Sequence, residues 1–469
     1  MNTGAIKLSH FSVKEYLVST HVEEYFCIDE KKSHSKISQL SIAYLLQFDD
    51  DSMPLTEAIL DSGPLALYAA KHWIGHAKSG GMEPTVLQLI VHLFISESTP
   101  FKNWIQINDI DVTTGFRFNS SMNLEKVNFC SALYYSSLAG MQEVVDSLLQ
   151  KGENANAAGG KYGNALQAAT YNGNEAIVKL LLKNGAEVNA EGGEYRNALL
   201  AAIYKGNEVI VKLLLENGAE VNAKDREYGN ALQAASYKGN EAIVKLLLDY
   251  KAEVNAIGGK YGNALQAATF YGNKSIVKLL LENGADVNVA GGEYRYALLV
   301  AIYNNDEVIV NLLLEHGAKA NAEGGEYGNA LQAASFKGNE VIVKLLMENG
   351  ADVNAEGGEY VNALQTATFF RKNAIVKLLL ENGADVNAEG GEYGNALLVA
   401  ICNSDEVIVK LLLENGAEAN AIEGLYGNAL EAASYRGNEA IVKFLLENGA
   451  DVNAEGGEYG NALSIIQGQ

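Results

Sequence analysis

Cysteine, proline, histidine and tryptophan are scarce in this chain, and each scarcity removes a class of answer. Three cysteines among 469 residues (Cys27, Cys130 and Cys402) are too few and too scattered for a disulfide framework or a zinc cluster, which favours a reducing compartment. All four prolines (Pro54, Pro64, Pro84, Pro100) and six of the seven histidines lie before residue 129. The rest of the chain therefore has no helix-breaking proline, and His316 is its one histidine base. No apolar run approaches the roughly 18 residues that span a bilayer. The longest, near Leu87–Ile95, is interrupted by Gln88 and His92. Met1–His10 lacks the apolar core of a secretory signal. The expected location is cytoplasmic, with the nucleus also open. Basic residues are outnumbered, 35 Lys+Arg against 58 Asp+Glu, for a net charge of −23. Residues 1–128 hold 10 Lys+Arg and 15 Asp+Glu, which leaves −18 for the remainder. Such a surface repels polyanions, so neither nucleic acid nor an anionic membrane is an expected partner.

Repetition is what the chain has instead. Tyrosine recurs at 162, 195, 228, 261, 294, 327, 360, 393, 426 and 459, every step being 33 residues. One step back, Phe129 opens a more divergent copy, and Ala-Leu follows three positions after each of these aromatics. A fixed period of this length signals a solenoid. The unit 162–194 shows why. Asn164 is a good helix N-cap, and Gln167 three residues later completes a capping box. Leu166, Ala168 and Ala169 give a short helix of small residues. Gly173-Asn174 breaks it, Asn174 caps a second helix, and Ile177, Val178, Leu180, Leu181 and Leu182 form the buried stripe of that helix. Asn184-Gly185 ends it, and "AEVNAEGGEY" crosses over as an extended finger. Two such helices cannot bury a core alone, but stacked neighbours can.

The period and the "IVKLLLENGADVN" half resemble the ankyrin repeat, although "NALQAA" stands where that family has "TPLHLAA". The resemblance covers 129–469: a divergent first repeat at 129–161, nine regular repeats at 162–458 and a partial one at 459–469. It implies an all-α fold, an ankyrin-repeat α-solenoid of about ten helix–turn–helix repeats with short extended fingers, preceded by a small helical domain at 1–128. A second period of three repeats lies inside the first. The residue after the first-helix Leu reads Gln167, Leu200, Gln233, then Gln266, Leu299, Gln332, then Gln365, Leu398, Glu431. The Leu-type copies lose the capping-box glutamine, and the copy at 294–326 also has Tyr296 in place of the Asn cap, so its first helix is expected to fray first.

Two segments of the first region, Ile6–Ser19 and Pro64–Lys78, read as a strand-plus-helix and a helix. They resemble the segment that follows the nucleotide-binding module in fungal NACHT-type, NLR-like ATPases, where ankyrin repeats often come next. The phosphate loop of that module is missing: Gly159-Gly160-Lys161 and Gly258-Gly259-Lys260 are each followed by Tyr, not by a Mg²⁺-binding hydroxyl. The chain is expected either to be the sensor end of such a protein or to be a fragment of the ATPase without its motor.

No catalytic set has a recognisable frame, and no cofactor site is expected. His72 and His76, four apart on a helix, lack further ligands, so a structural pair is the favoured reading over a metal site. The informative column lies at the end of the first helix: Tyr171, Tyr204, Tyr237, Phe270, Tyr303, Phe336, Phe369, Cys402 and Tyr435. The next position carries Lys205, Lys238, Lys337 and Arg436 in four copies. In the ankyrin family these positions face the concave groove and meet partners, so the resemblance implies non-catalytic binding of a partner protein or peptide there. The competing reading is that the rings are packing between repeats. Glutamates on the neighbouring fingers and the overall charge argue against nucleic acid despite the aromatic-plus-Lys pairs. A half-repeat at the C-terminus, with Ile465 and Ile466, leads to an expectation of end-to-end association or fraying there.

Overall fold

The computed structural model describes residues 29–49, 65–95, 98–111, 129–225, 227–324, 327–421 and 427–454. The segments Ile6–Ser19 and 459–469, with the expectations placed on them, lie outside these residues. The described residues form 24 helices and no strand beyond isolated bridges in the fingers, so the all-α solenoid class is the observed one. The chain divides into two compact units, Met1–Glu220 and Val221–Gln469.

The first unit opens with α1 (Glu30–Leu45), α2 (Ala66–Gly80), α3 (Pro84–Leu93) and α4 (Thr99–Ile107). The helix expected over 64–78 is α2. Small residues bring α1 against α2: Ser35, Ser38 and Ser41 are buried, and a Cβ on Gly80 would lie 2.3 Å from the Ser35 amide nitrogen. Any larger residue at 80 would push the two helices apart. Trp73, Phe94, Phe101 and Trp104 form an aromatic core with ring centroids 5.2–6.1 Å apart, and Trp104 Nε1 donates to Ala70 O at 3.1 Å. Tyr135, from the first repeat, enters the same core, 5.9 Å from Phe101 and 6.0 Å from Trp104. Asp111 ties the following loop down. It accepts from Tyr134 Oη at 2.6 Å and from the Lys161 amide at 2.6 Å. These helices thus cover apolar surface that the first repeat would otherwise show to water.

Ten helix pairs follow, three in the first unit (132–150, 165–183, 198–216) and seven in the second, from 231–249 to 429–447. Their helices have seven to nine residues, well short of the ~12–15 at which an isolated helix becomes even marginal. Packing must hold them. In each pair the Ala-rich first helix is buried almost all round, and the second buries a stripe such as Ile177, Val178 and Leu181. Leu180 and Leu182 are only half-buried, a narrower stripe than the apolar run suggests, because the second helix faces water on its outer side.

The caps correct the expectations in two places. Asn164, Asn197, Asn230, Asn263, Asn329, Asn362, Asn395 and Asn428 each accept from the third helical amide, as expected. Among the described residues, however, the complete capping box occurs at Asn329/Gln332 alone. The glutamine amide nitrogen donates forward in the boxed and the unboxed copies alike: Gln233 Nε2 to Ala256 O at 2.9 Å, and Gln266 Nε2 to Arg295 O at 2.7 Å, both on the next finger. Gln332 makes both bonds, its Oε1 accepting from the Asn329 amide while Nε2 donates to Gly357 O, whereas Oε1 of Gln167, Gln233 and Gln266 accepts no hydrogen bond. Asn174 makes no cap bond, whereas Asn207, Asn240, Asn339 and Asn438 do cap their second helices.

A second set of stitches carries no expectation from the sequence. In eight "VNA" or "ANA" fingers the Asn reaches the next repeat twice, while Asn222 only accepts from Glu253 N, at 2.9 Å. Asn288 Nδ2 donates to Gly317 O at 3.0 Å, and its Oδ1 accepts from Lys319 N at 3.0 Å. Asn156, Asn189, Asn255, Asn321, Asn354, Asn387 and Asn420 repeat this pair of bonds. Each of the eight satisfies the carbonyl that the left-handed glycine leaves at the end of a helix.

Candidate binding face

The candidate face is built from two columns of rings, one of which the sequence reading did not weigh. The helix-end rings are half-buried, apart from exposed Tyr435. They do not stand alone. The period-marking tyrosines of the fingers slot between them. In the first unit Tyr162 stacks on Tyr171 at 4.1 Å, Tyr171 lies 5.6 Å from Tyr195, and Tyr195 lies 5.0 Å from Tyr204. In the second unit the order runs Tyr228–Tyr237 (4.2 Å), Tyr237–Tyr261 (5.4 Å), Tyr261–Phe270 (5.0 Å), Phe270–Tyr294 (6.0 Å) and Tyr294–Tyr303 (5.2 Å). It continues through Tyr303–Tyr327 (6.1 Å) and Tyr327–Phe336 (4.1 Å), and again through Tyr360–Phe369 (4.8 Å) and Phe369–Tyr393 (5.8 Å). Tyr171, Tyr237, Phe270, Tyr303, Phe336 and Phe369 each have rings on two sides and stay half-buried. The rings therefore pack between repeats and still offer surface. The finger tyrosines were visible in the sequence as the period marker itself, but nothing in the spacing said which way they turn.

The basic residues beside the rings are held against them. Lys205 Nζ sits 4.0 Å from the centroid of Tyr171, and Lys337 Nζ 4.0 Å from that of Tyr303, each reaching back to the repeat before its own. Lys238 lies 5.3 Å from its own Tyr237 ring, and Arg436 bonds the Cys402 thiol. Asn304 and Asn403, which share the lysine position in other copies, donate to Phe270 O at 2.7 Å and Phe369 O at 2.9 Å, so they cap the preceding helix. In two copies an aromatic takes this position. Tyr271 stands perpendicular to Tyr237 at 4.3 Å, and Phe370 to Phe336 at 4.6 Å.

Hydroxyls and charges set the electrostatics. Tyr261 and Tyr271 hydroxyls are 3.2 Å apart, and Tyr237 bonds both Tyr271 and Tyr228. Hydrogen bonds from Tyr271 and Tyr228 lower the pKa of the Tyr237 hydroxyl, and the bond from Tyr162, then Lys205, does the same for Tyr171. Burial pushes Tyr195 up to about 12. Salt bridges Lys161–Glu194 (3.2 Å) and Arg196–Glu191 (3.1 Å) pin two acids of the finger that ends at Tyr195. Among the described residues no group of three or more His, Cys, Asp or Glu has metal-binding geometry. His76 pairs with His34 of α1, Nδ1 to Nδ1 at 2.7 Å, and not with His72, which faces Tyr68 at 4.8 Å between centroids. No helix among the described residues is long and apolar enough to cross a membrane.

Comparison with known proteins places these features in context. A family model described as ankyrin repeats (3 copies) matches residues 106–192, 133–225, 199–291, 264–357, 298–390 and 364–455. Azaphilone pigments biosynthesis cluster protein L of Monascus ruber is 34% identical over 178 residues, which are 35% of this chain and 37% of that protein. The match thus spans little more than a third of the relative's length. Among solved structures, the human ASB11 ankyrin repeat domain (26% identical, TM-score 0.41) covers 47% of this chain and 99% of its own. The ankyrin repeat domain of Bcl-3, an IkappaB family member, has the same identity and score and covers 45% and 95%. With the family matches running from residue 106 to 455, well over half of its length, the chain belongs to the ankyrin repeat family.

Proposed function

We propose that this protein is a non-catalytic interaction scaffold that binds a partner protein or peptide through the ladder of half-exposed rings. The helix-end residues Tyr171, Tyr204, Tyr237, Phe270, Tyr303, Phe336, Phe369 and Tyr435 would supply contact area, with Lys205, Lys238, Lys337 and Arg436 beside them. The observation that carries this reading is the mutual support of the rings. Tyr171, Tyr237, Phe270, Tyr303, Phe336 and Phe369 are each already held between two neighbouring rings, so little side-chain entropy remains to be lost on binding there. Tyrosine and phenylalanine held this way give large apolar contact with few torsions to freeze. The finer reading makes residues 1–128 a helical domain set before the repeats, and the whole a cytoplasmic sensor part of a fungal NLR-like system. The two short resemblances in that region support it. A second reading, a fragment of a NACHT-type ATPase, has the same support and predicts that nucleotide binding requires a further segment.

The test is a pull-down with the full chain beside a variant carrying Tyr204→Ala, Tyr237→Ala, Tyr303→Ala and Phe336→Ala, after circular dichroism shows equal helicity. A partner lost with the variant supports the ladder as the binding face. An unchanged partner list would return these rings to packing alone.

A further inference from the structure

This inference rests on the binding-face reading and names what one part of the face takes. Between the finger that ends at Tyr294 and the finger that ends at Tyr327 lies a cleft of about 140 Å³. Buried Leu299 and Ala333 give it an apolar floor, Tyr294, Tyr303 and Tyr327 line it, and exposed Glu293 is the charged residue among its described lining. At ~30 Å³ for each water's share of liquid volume, the space suits one side chain and not a helix.

Its origin is a substitution within the repeat. Where the copy has glutamine, the amide runs forward to the next finger, as Gln332 does to Gly357 O at 2.7 Å and Gln266 to Arg295 O at 2.7 Å. Leu299 has no group to make that bond, so the region under the finger stays open and apolar. The rings around it are suited to positive charge. Tyr303 already holds the Lys337 ammonium 4.0 Å from its centroid, and the same seat recurs for Lys205 on Tyr171. Arg295 lays its stem against Gly324 at the edge of the cleft, but its guanidinium lies over Tyr296, 5.6 Å from the centroid, and donates to Glu323 O at 3.4 Å. An apolar floor for a methylene stem, ring faces for a cation and one carboxylate at the opening match a long basic side chain.

We propose that this cleft is a specificity pocket that takes a lysine or arginine side chain of the partner's binding segment. The net charge of −18 on residues 129–469 would draw such a basic segment in.

The experiment selects binders from a random 12-residue peptide display library on the full chain. The best peptide is then remade with its cation replaced by citrulline or norleucine. Two chain variants are compared. Arg295→Gly with Leu299→Gln restores the Gly–Gln pair of sibling repeats and fills the cleft. Because it removes a positive charge, any lost cation binding cannot come from added repulsion. Glu293→Gln, on an exposed position, leaves the packing intact. The expected result is enrichment of Lys or Arg, at least a tenfold affinity loss for the neutral peptide and for the double variant, and a loss of a few-fold for Glu293→Gln. Peptides that depend on Tyr237 and Phe336 yet tolerate citrulline, or that bind both variants unchanged, overturn the pocket and leave the scaffold reading standing. Selection that returns no ladder-dependent peptide overturns both.

Discussion

Val361 follows a finger tyrosine at a point where six described copies have glycine, and it holds the left-handed conformation, φ 64°. In the sibling 162–194 the reason for glycine is steric as well: a Cβ on Gly163 would lie 2.0 Å from Gln167 Oε1. A β-branched residue is poorly suited to this backbone region, which costs an L-residue roughly 1–2 kcal/mol. Restoring glycine gives back most of that strain, less ~0.5–1 kcal/mol of backbone entropy. Val361→Gly is therefore expected to raise the urea midpoint modestly with an unchanged slope, and a lowered midpoint would show that the Val361 methyls beside Gly390 and Gly391 matter more. Residues differ in how far the sequence reveals them. The Asn caps were legible because their bond closes within three residues. The forward reach of Gln233 and Gln266 was not, because their acceptors lie 23 to 29 residues ahead and meet them only after stacking. The asparagine stitches were hidden for the same reason, although their 33-residue recurrence was on view.

At the scale of elements, helix 297–303 has Tyr296 at its N-cap and makes no side-chain cap bond. Tyr296 already has the extended backbone of a cap, φ −131° and ψ 148°, so Tyr296→Asn needs no rearrangement and should stabilise this helix by about 1 kcal/mol. In the parent protein, amides of 297–303 should exchange faster than those of 330–337, and the substitution should close the gap. Equal protection in the parent would mean that burial of Leu298, Leu299 and Val300 outweighs the missing cap. The α1–α2 pair carries a pH response. Burial, then His34, then His72 depress the His76 pKa below its ordinary 6.5, and the groups known to face it are His34, His72 and Tyr68. In the window below 6.5 the unfolded chain binds more protons at this position than the folded one. Stability is thus complete above that pH and is lost as pH falls through it. Thermal unfolding of α1 and α2 should move to lower temperature between about pH 7 and pH 5.5, and His76→Gln should flatten that dependence. The sequence offered His72 as the partner because it sits on the same helix. The true partner comes from α1, and no local pattern announces a contact 42 residues away.

For the whole molecule the governing quantity is charge. The repeats carry about two uncompensated negative charges each, and the ion pairs on the second helices do little to offset them. Lys278–Glu282, Lys377–Glu381, Lys410–Glu414 and Lys443–Glu447 are all 3.8 Å apart with both side chains more than half exposed. Each also has lysine on the N-terminal side, the weaker orientation, so a value near or below ~0.3–0.5 kcal/mol is expected. Salt therefore screens two opposing terms, small local attractions and a long-range repulsion summed over many like charges. The repulsion is the larger, and at about 0.15 M its range shrinks to about 8 Å. Thermal stability is expected to rise as NaCl goes from about 20 to about 300 mM, while capture of a basic peptide by the Glu293 cleft should weaken over the same series. Scanning calorimetry and peptide titration on the same samples read both. A midpoint that falls with salt would mean that the ion pairs, not the net charge, set the balance in this stack.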